Sequence, residues 1–183
     1  MTQTKTEMDV IDLLVHQHSM IRDLFAEVLE HSGEQRRESF RRLVQLLAVH
    51  ETAEEEIVHP VSRRSLPGGE GIVDDRLAEE REAKELLSEL DGMDIHDPQF
   101  LPKLDKLRVS VLTHARAEER YEFYRLKDEF SDTQRRAMAA AVRAAEATAP
   151  THPHPGVESA TANLAVGPVA SVIDRVRDII RST

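Results

Sequence analysis

The sequence HETAEEEIVHP spans residues 50–60, and the sequence HARAEERYEFY spans residues 114–124; both contain the frame H-x-x-A-E-E. The frame places His50 four residues before Glu54 and His114 four residues before Glu118. Residues four apart on an α-helix lie one turn apart on the same face. Each pair can therefore bind one metal ion through an imidazole and a carboxylate if its segment is helical.

The composition favours helices and excludes several classes of function. The chain has 183 residues, a formal net charge of -10 and no Cys. The absence of Cys excludes disulfides, thiolate zinc sites, iron–sulfur clusters and Cys nucleophiles. Because no segment concentrates Lys and Arg on one face, we expect neither nucleic acid nor an anionic membrane as a partner. Without an apolar leader or a run of about 18 apolar residues, the expectation is a soluble cytoplasmic protein, as a monomer or weak homo-oligomer.

Apolar residues recur at steps of three and four in four segments, which is the spacing of helices packed in a bundle. Asp9 is the expected N-cap of the first helix, and Gly33 is its expected stop. Pro60 and then Pro67-Gly68-Gly69 are expected to end the second helix and make a turn. A third helix is predicted over about residues 74–91 and a fourth over about residues 102–128, with Pro102 in its first turn.

The remaining residues predict additional C-terminal helices. Residues 131–134 match a capping box before an Ala-rich helix that ends near Ala147. A linker that contains His152 and His154 follows, and residues 169–181 form an amphipathic segment. The predicted fold is all-α: an up-down antiparallel four-helix bundle over residues 1–147, then a linker and a short helix over residues 148–183.

Polar residues replace leucines at matching levels of the four apolar stripes. Short connections make consecutive helices antiparallel, so His18 lies level with His50, and Glu80 lies level with His114. Burial of such groups without partners would cost several kcal/mol per charge, whereas one or two cations between them remove that cost. Nitrogen and oxygen donors suit iron or manganese, and zinc is not excluded. The candidate metal ligands are His18, His50, Glu54, Glu80, His114 and Glu118.

Other polar residues near the stripes have simpler interpretations. Tyr121 lies one turn after Glu118 and is interpreted as a core Tyr bonded to a carboxylate, with a phenolate ligand or an electron source as the alternative. His59 is interpreted as a cap for the end of the second helix, with a place in the site as the alternative. Solvated side chains are expected for Glu51, Glu55, Glu56, Glu119 and His16. The alternative interpretation of Glu80 is an exposed acidic face that it shares with Glu79 and Glu82.

These residues resemble the hemerythrin-like HHE family over about residues 9–147. The resemblance rests on His18, on the two H-x-x-x-E-E segments with Pro60 after the first and Phe123-Tyr124 after the second, and on the third-helix sequence E-x-R-x-x-K-E-L-L. Glu80 stands where the family usually has His. The Pro/His-containing tail also looks like that of actinobacterial members.

The resemblance implies two iron ions per chain in an oxo- or hydroxo-bridged non-haem centre. His18, His50 and Glu54 would serve one iron, while His114, Glu118 and the third-helix residue would serve the other, with one or both of the H-x-x-x-E carboxylates bridging. A carboxylate in place of His favours Fe(III), and with it activation of dioxygen or peroxide over reversible dioxygen carriage. The resemblance to mycobacterial-type hemerythrin-like proteins implies reaction with hydrogen peroxide, dioxygen or nitric oxide, with catalase-like peroxide breakdown in oxidative or nitrosative stress defence. A non-enzymatic iron- or oxygen-binding or sensing module is the alternative, so whether the protein is an enzyme stays open.

Overall fold

The computed structural model of the protein describes residues 8–149 and residue 151, and all regular structure within them is helical. These residues form seven α-helices: α1 Val10–Glu30, α2 Gly33–Ala53, α3 His59–Ser65, α4 Gly69–Asp91, α5 Phe100–Ala117, α6 Tyr124–Glu129 and α7 Asp132–Glu146. Two π-helical turns connect α2 directly to α3 and α5 directly to α6. The first π turn is Glu54–Val58 and the second π turn is Glu118–Phe123.

The four long helices α1, α2, α4 and α5 form an antiparallel bundle. In this part of the chain, α1 contacts α2 and α5, and α4 contacts the same two helices from the opposite side. Arg42 in the middle of α2 bonds Glu27 near the end of α1, whereas His50 near the end of α2 meets Gln17 in the first half of α1. This crossed pairing requires antiparallel helices. The predicted fold class is therefore confirmed, and α7 packs against α1 and α2 as an additional helix.

Two hydrophobic clusters fill the two ends of the bundle. On α1, Leu14 belongs to one cluster and Ile21 to the other, and His18 lies between them. On α2, Leu47 and Ala53 are divided in the same way around His50. The polar residues of the stripes thus occupy one layer between two apolar cores, where water cannot readily replace a lost partner.

The N-cap of α1 is confirmed. The Asp9 carboxylate accepts hydrogen bonds from the backbone N–H groups of Ile11 and Asp12, at 2.9 and 3.1 Å. Its second oxygen accepts a hydrogen bond from Arg135 Nε of α7 at 2.8 Å. Asp9 therefore both begins the first helix of the bundle and attaches α7 to it.

Replacement of Asp9 with Ala is expected to lower the free energy of unfolding by about 1–2 kcal/mol, because loss of an N-cap alone costs about 1 kcal/mol. Asp9→Asn should recover most of that loss, since Asn caps as well as Asp does. Urea denaturation followed by circular dichroism measures both values. Asp23→Ala, at an exposed position in the middle of α1, is the control; equal losses for Asp9→Ala and Asp23→Ala would contradict the capping role.

Several predicted helix boundaries are wrong by a few residues. Helix α1 ends at Glu30, and Gly33 begins α2 with a φ of 54°, so the glycine turns the chain into the next helix instead of following the last. Helix α4 begins at Gly69, five residues before the predicted start. A Cβ on Gly69 would lie 2.1 Å from the Ser62 carbonyl oxygen, so the glycine allows the start of α4 to approach α3. Helix α5 begins at Phe100, which keeps Pro102 in the first turn as expected.

Pro60 does not end the second helical segment, which continues through α3 to Ser65, but the predicted turn at Pro67-Gly68-Gly69 does follow that segment. A proline clashes with the carbonyl four residues earlier and cannot donate to it in a regular α-helix. The first π turn ends at Val58, two residues before Pro60, and the His59 N–H donates to the Glu54 carbonyl, five residues earlier. This wider turn lets the chain continue past Pro60 into α3. The second π turn contains no proline, so proline is not the general cause of these turns.

The capping box at residues 131–134 is confirmed, and it begins α7. His152, His154 and the predicted helix over residues 169–181 lie outside the described residues, and the division at residue 147 stays a prediction. Within residues 8–149, no helix combines the length and apolar character that crossing a membrane requires.

Candidate metal centre

The first group of possible ligands joins α1, α2 and the second π turn. Donor atoms of His18, His50, Glu54 and Glu118 all lie within 4.8 Å of one another. His18 Nε2 is 3.3 Å from Glu118 Oε2, and His50 Nε2 is 3.3 Å from Glu54 Oε2. The second contact is the i, i+4 pair expected from the H-x-x-x-E spacing. Two imidazoles and two carboxylates are thus arranged around one position.

The second group joins the same two glutamates to α4 and α5. Donor atoms of Glu54, Glu80, His114 and Glu118 also lie within 4.8 Å of one another. His114 Nε2 is 3.3 Å from Glu118 Oε1 and 3.8 Å from Glu80 Oε1. The structure therefore brings all six sequence-derived candidates together in two overlapping groups.

Glu54 and Glu118 belong to both groups. The two oxygens of Glu118 face different imidazoles: Oε2 faces His18, and Oε1 faces His114. Both glutamates are completely buried. A carboxylate that presents one oxygen to each of two adjacent positions is a suitable bridge between two cations.

Several buried nitrogen and oxygen atoms that could coordinate a metal lack hydrogen-bond partners, which is the property expected of cation ligands. Among the described residues, no partner of acceptable geometry is present for either oxygen of Glu54 or Glu118, or for Nε2 of His18 and His114. Each unsatisfied buried polar group costs about 1–3 kcal/mol, and more when it is charged. Coordination of a divalent cation would satisfy these atoms. The imidazole nitrogens and carboxylate oxygens are ligands that suit iron, manganese or zinc.

The outer ring nitrogens of the three candidate imidazoles have partners. Nδ1 of His18 bonds Glu119 Oε1 at 2.9 Å, and Nδ1 of His50 bonds Gln17 Oε1 at 2.7 Å. Nδ1 of His114 bonds Glu79 Oε2 at 2.9 Å. With the proton on Nδ1, the lone pair of Nε2 points to the carboxylates, which is the usual arrangement of a metal-binding His.

These outer partners are functional candidates that the sequence interpretation missed. Glu119 was expected to be solvated, and Glu79 was interpreted as part of an exposed acidic face. Both are half-exposed, but each holds an imidazole through one oxygen. The repeated Glu-Glu doublet of the H-x-x-A-E-E frame was the available signal for Glu119, because its second Glu can reach a neighbouring helix. Gln17 had no signal beyond its position next to His18.

Burial and the facing charges shift the pKa values of the group in opposite directions. Burial lowers the pKa of His50 to about 3, so that imidazole is neutral. Burial, and then the Glu118 carboxylate, raise the pKa of Glu54 well above its usual value. Although burial alone would raise the pKa of Glu118, the imidazoles of His114 and His18 hold it well below its usual value. Although burial alone would lower the pKa of His114, the Glu118 carboxylate raises it well above 6.5.

The second π turn corrects the prediction for Tyr121. The side chain of Tyr121 is 49% exposed and lies beneath the Arg120 guanidinium, 5.4 Å from the ring centroid. It is neither a core Tyr nor placed as a ligand. The wider turn displaces the apolar stripe by about one residue, so Glu122 and Phe123 take the buried positions instead. The ring of Phe123 then stacks on His18, with centroids 5.7 Å apart.

His59 reaches the centre and does not cap a helix end, contrary to the preferred interpretation. Its side chain is 2% exposed. Nε2 lies 2.6 Å from Glu80 Oε1, and Nδ1 lies 3.2 Å from Glu122 Oε1. One donor atom each of His59, Glu118 and Glu122 also lies within 4.8 Å of the other two. His59 and Glu122 therefore adjoin the second group of ligands.

Three glutamates expected to be solvated are buried instead. Glu51, Glu55 and Glu56 are 5%, 8% and 6% exposed, because α7 packs against α2 and the first π turn, and α4 packs against α2. Glu55 forms an ion pair with Lys84 of α4. Burial raises the pKa of Glu51 to about 8. His16 is exposed, as expected.

A small cavity adjoins the first group of ligands. It is lined by His18, His50, His114 and Glu51 on its polar side, and by Ile21, Leu47, Val111, Leu112 and Ala115 on its apolar side. Its volume of about 10 Å³ is roughly the space that one water-sized molecule needs. One water-sized molecule fits beside the imidazoles, and a larger organic substrate does not.

An all-helical bundle with overlapping His/Glu ligand groups in its core has the architecture of a cation-binding helical protein. The chain belongs to the hemerythrin family: the model of the hemerythrin HHE cation-binding domain matches residues 9–126. It is similar to a DNA nickase of Nostoc sp., with 28% identity over 143 residues, 78% of this chain and 40% of the nickase. It is also similar to an uncharacterized hemerythrin-like protein of Schizosaccharomyces pombe, with 29% identity over 137 residues, 73% of this chain and 67% of that protein.

The fold agrees with that of a solved hemerythrin HHE domain. A crystal structure of a hemerythrin HHE cation-binding domain-containing protein from Mycobacterium kansasii matches with a TM-score of 0.66 and 18% identity. The match covers 91% of this chain and 98% of the other. The chain spans less than half the length of the Nostoc nickase, so the activity of that whole protein is not assigned to it.

Proposed function

We propose that the protein holds two iron ions in a bridged non-haem centre and reacts with hydrogen peroxide, dioxygen or nitric oxide, with catalase-like breakdown of peroxide as the leading reaction. The observation that carries the proposal is the pair of overlapping buried ligand groups that share Glu54 and Glu118. His18 and His50 would hold one iron, while Glu80 and His114 would hold the other. The two shared glutamates would bridge them.

The charge of the buried layer supports two divalent cations. Glu54, Glu80, Glu118 and Glu122 are each at most 1% exposed. Two divalent cations carry the four positive charges that balance four carboxylates, while the imidazoles stay neutral as ligands. Without that balance, the carboxylates would repel one another in a region of low dielectric constant.

The carboxylate-rich ligand set favours redox chemistry over reversible oxygen carriage. Carboxylates are hard, anionic ligands, and they stabilise ferric iron more than imidazoles do. In peroxide breakdown, one hydrogen peroxide accepts two electrons and two protons and becomes two waters, while a second releases the same number and becomes dioxygen. An iron pair, when bound, supplies and recovers those two electrons.

The residues around the cavity have distinct tasks in this proposal. The apolar side chains of Ile21, Leu47 and Val111 restrict entry to small molecules and keep bulk water away from the ligands. Glu51 lines the same cavity, and its Oε2 has no hydrogen-bond partner among the described residues. Burial raises the pKa of Glu51 to about 8 in the cation-free protein, and we assign Glu51 the role of proton donor to a bound molecule.

Elemental analysis combined with a peroxide assay tests the proposal. The protein, purified without chelator, is expected to contain about two irons per chain and to release one dioxygen for every two hydrogen peroxide molecules consumed. His16→Ala, at an exposed imidazole outside the centre, should change neither value. Protein that binds two irons but leaves peroxide unchanged would support the iron- or oxygen-binding module instead. Protein that binds no iron, manganese or zinc would contradict both.

DNA nicking is not part of the proposed function, although one relative carries that name. The formal net charge of -10 opposes contact with a phosphate backbone, which generally requires a cluster of Lys and Arg. The similarity also covers only 40% of the nickase.

A further inference from the structure

We propose that His59 is itself a ligand of the second cation, so that each of the two cations has two imidazoles. His18 and His50 would bind the first cation, and His59 and His114 the second. This inference rests on the proposed function, because it assigns a further ligand to the same centre. The H-x-x-x-E spacing did not identify His59, which lies five residues after Glu54.

The first support is the position of His59 Nε2. It lies 2.6 Å from Glu80 Oε1, and the same oxygen lies 3.8 Å from His114 Nε2. The two imidazoles therefore approach one carboxylate oxygen of the second ligand group. A donor atom of His59 also lies within 4.8 Å of one of Glu118, the carboxylate that both groups share. His59 therefore lies close to Glu80 and Glu118, two of the proposed ligands of the second cation.

The second support is the orientation of the ring. Nδ1 of His59 is held by Glu122 Oε1 at 3.2 Å, while Nε2 faces the buried carboxylates. His18, His50 and His114 have the same orientation, with Nδ1 on a side-chain oxygen and Nε2 facing the centre. A partner on the outer nitrogen that leaves the inner one for the metal is the common arrangement of metal-binding imidazoles. All four buried imidazoles of the layer follow this rule.

The third support is the backbone that presents His59. In a regular α-helix, a residue five positions after Glu54 would lie about 140° away from it around the helix axis. The first π turn, in which the His59 N–H donates to the Glu54 carbonyl, brings His59 back to the face of Glu54. π turns within α-helices are frequent at functional sites. The π turn thus places a second imidazole, that of His59, beside the cation that Glu80 and His114 would bind.

A structural role for His59 makes a different prediction. If His59 only donates hydrogen bonds to Glu80 and Glu122, a glutamine at this position can still donate to one of them, and both cations should remain. If His59 binds a cation, His59→Gln should lower the affinity for one of the two cations and leave the affinity for the other unchanged. The matched control is His16→Gln, the same substitution at an exposed imidazole of α1.

Zinc is the probe, because it is redox-inert and its bonds to imidazole nitrogen are short, at about 2.1 Å. A crystal structure of the zinc-loaded full chain, with anomalous data at the zinc edge, is expected to show His59 Nε2 at that distance from one zinc. In anaerobic titration, His59→Gln should bind one zinc like the wild type and the other more than about 100-fold more weakly, which exceeds the usual effect of an outer partner. Circular dichroism shows whether the variant keeps its helices.

A zinc-loaded structure in which His59 Nε2 stays on Glu80, with no zinc within about 3 Å, would overturn the inference while leaving the two-cation centre intact. Retention of both zincs by His59→Gln with wild-type affinity would do the same. Failure of the wild-type chain to bind zinc, iron or manganese would instead overturn the proposed function. The two failures are therefore distinguishable.

Discussion

Replacement of Glu118 with Ala is expected to remove both cations at once. Glu118 faces His18 with one oxygen and His114 with the other, at 3.3 Å in each case. No other side chain of the described residues takes part in all three groups of possible ligands. Loss of this single carboxylate should therefore lower the affinity for both cations. The loss should be far larger than the roughly 10–100-fold caused by removal of a side chain that only hydrogen-bonds a ligand.

Metal analysis of the variant after iron loading and desalting measures this effect. Glu119→Ala is the graded comparison, because Glu119 contacts only the outer nitrogen of His18 and its loss should weaken one cation by about 10–100-fold. Glu82→Ala, at an exposed position on α4, should bind like the wild type. A Glu118→Ala variant that keeps one iron at full affinity would show that Glu118 does not bridge.

Removal of the cations is expected to lower the melting temperature by about 10 °C or more. A ligand present at 1,000 times its dissociation constant stabilises a protein by about 4 kcal/mol per site, and each kcal/mol is about 2–4 °C for a chain of this size. Differential scanning fluorimetry with iron or zinc and with a chelator measures the difference. The Glu118→Ala variant should not respond to the chelator, because it has no bound cation to lose.

The difference in melting temperature between the cation-loaded and the cation-free protein should also grow between pH 7 and pH 9. A group whose pKa is higher in the folded than in the unfolded protein binds more protons when folded, so a rise in pH destabilises the fold. Burial raises the pKa of Glu51 to about 8. Although burial alone would lower the pKa values of His59 and His114, carboxylates that face them raise both well above 6.5. Above pH 7, His50 is neutral in both states, since burial lowers its folded pKa to about 3.

The cation-free protein should therefore melt at a lower temperature at pH 9 than at pH 7. Cations favour the deprotonated ligands, so the loaded protein should change less, and the effect of the chelator should be larger at pH 9. A cation-free protein that becomes more stable over this interval would contradict the assignment of the raised pKa values to the buried layer.

Much of the bundle and of the candidate site could be predicted because the signals are local. Apolar stripes at steps of three and four report the buried face of each helix, and a His or Glu within such a stripe is conspicuous. Antiparallel helices with short connections then place His18 level with His50, and Glu80 level with His114. The structure brings these four residues together with Glu54 and Glu118, as the spacing predicted.

The errors at Tyr121, Glu122 and His59 have one physical origin in the two π turns. Each turn displaces the helical stripe by about one residue, and the regular period used for prediction does not include such a displacement. Tyr121 was therefore placed in the core although it is half-exposed, and Glu122 was overlooked although it is completely buried. His59 was interpreted as a helix cap because Pro60 indicated a helix end.

The sequence by itself determined the four helical stripes, their order, and the level at which imidazoles and carboxylates interrupt them, because these depend on spacing along one helix. Only the tertiary structure decided which neighbours complete the layer. Glu79 and Glu119 hold imidazoles of other helices, and α4 and α7 cover glutamates that a single helix would leave in water. Such contacts depend on how helices are rotated and packed, and the π turns change that rotation within a helix, so no pattern along one segment could specify them.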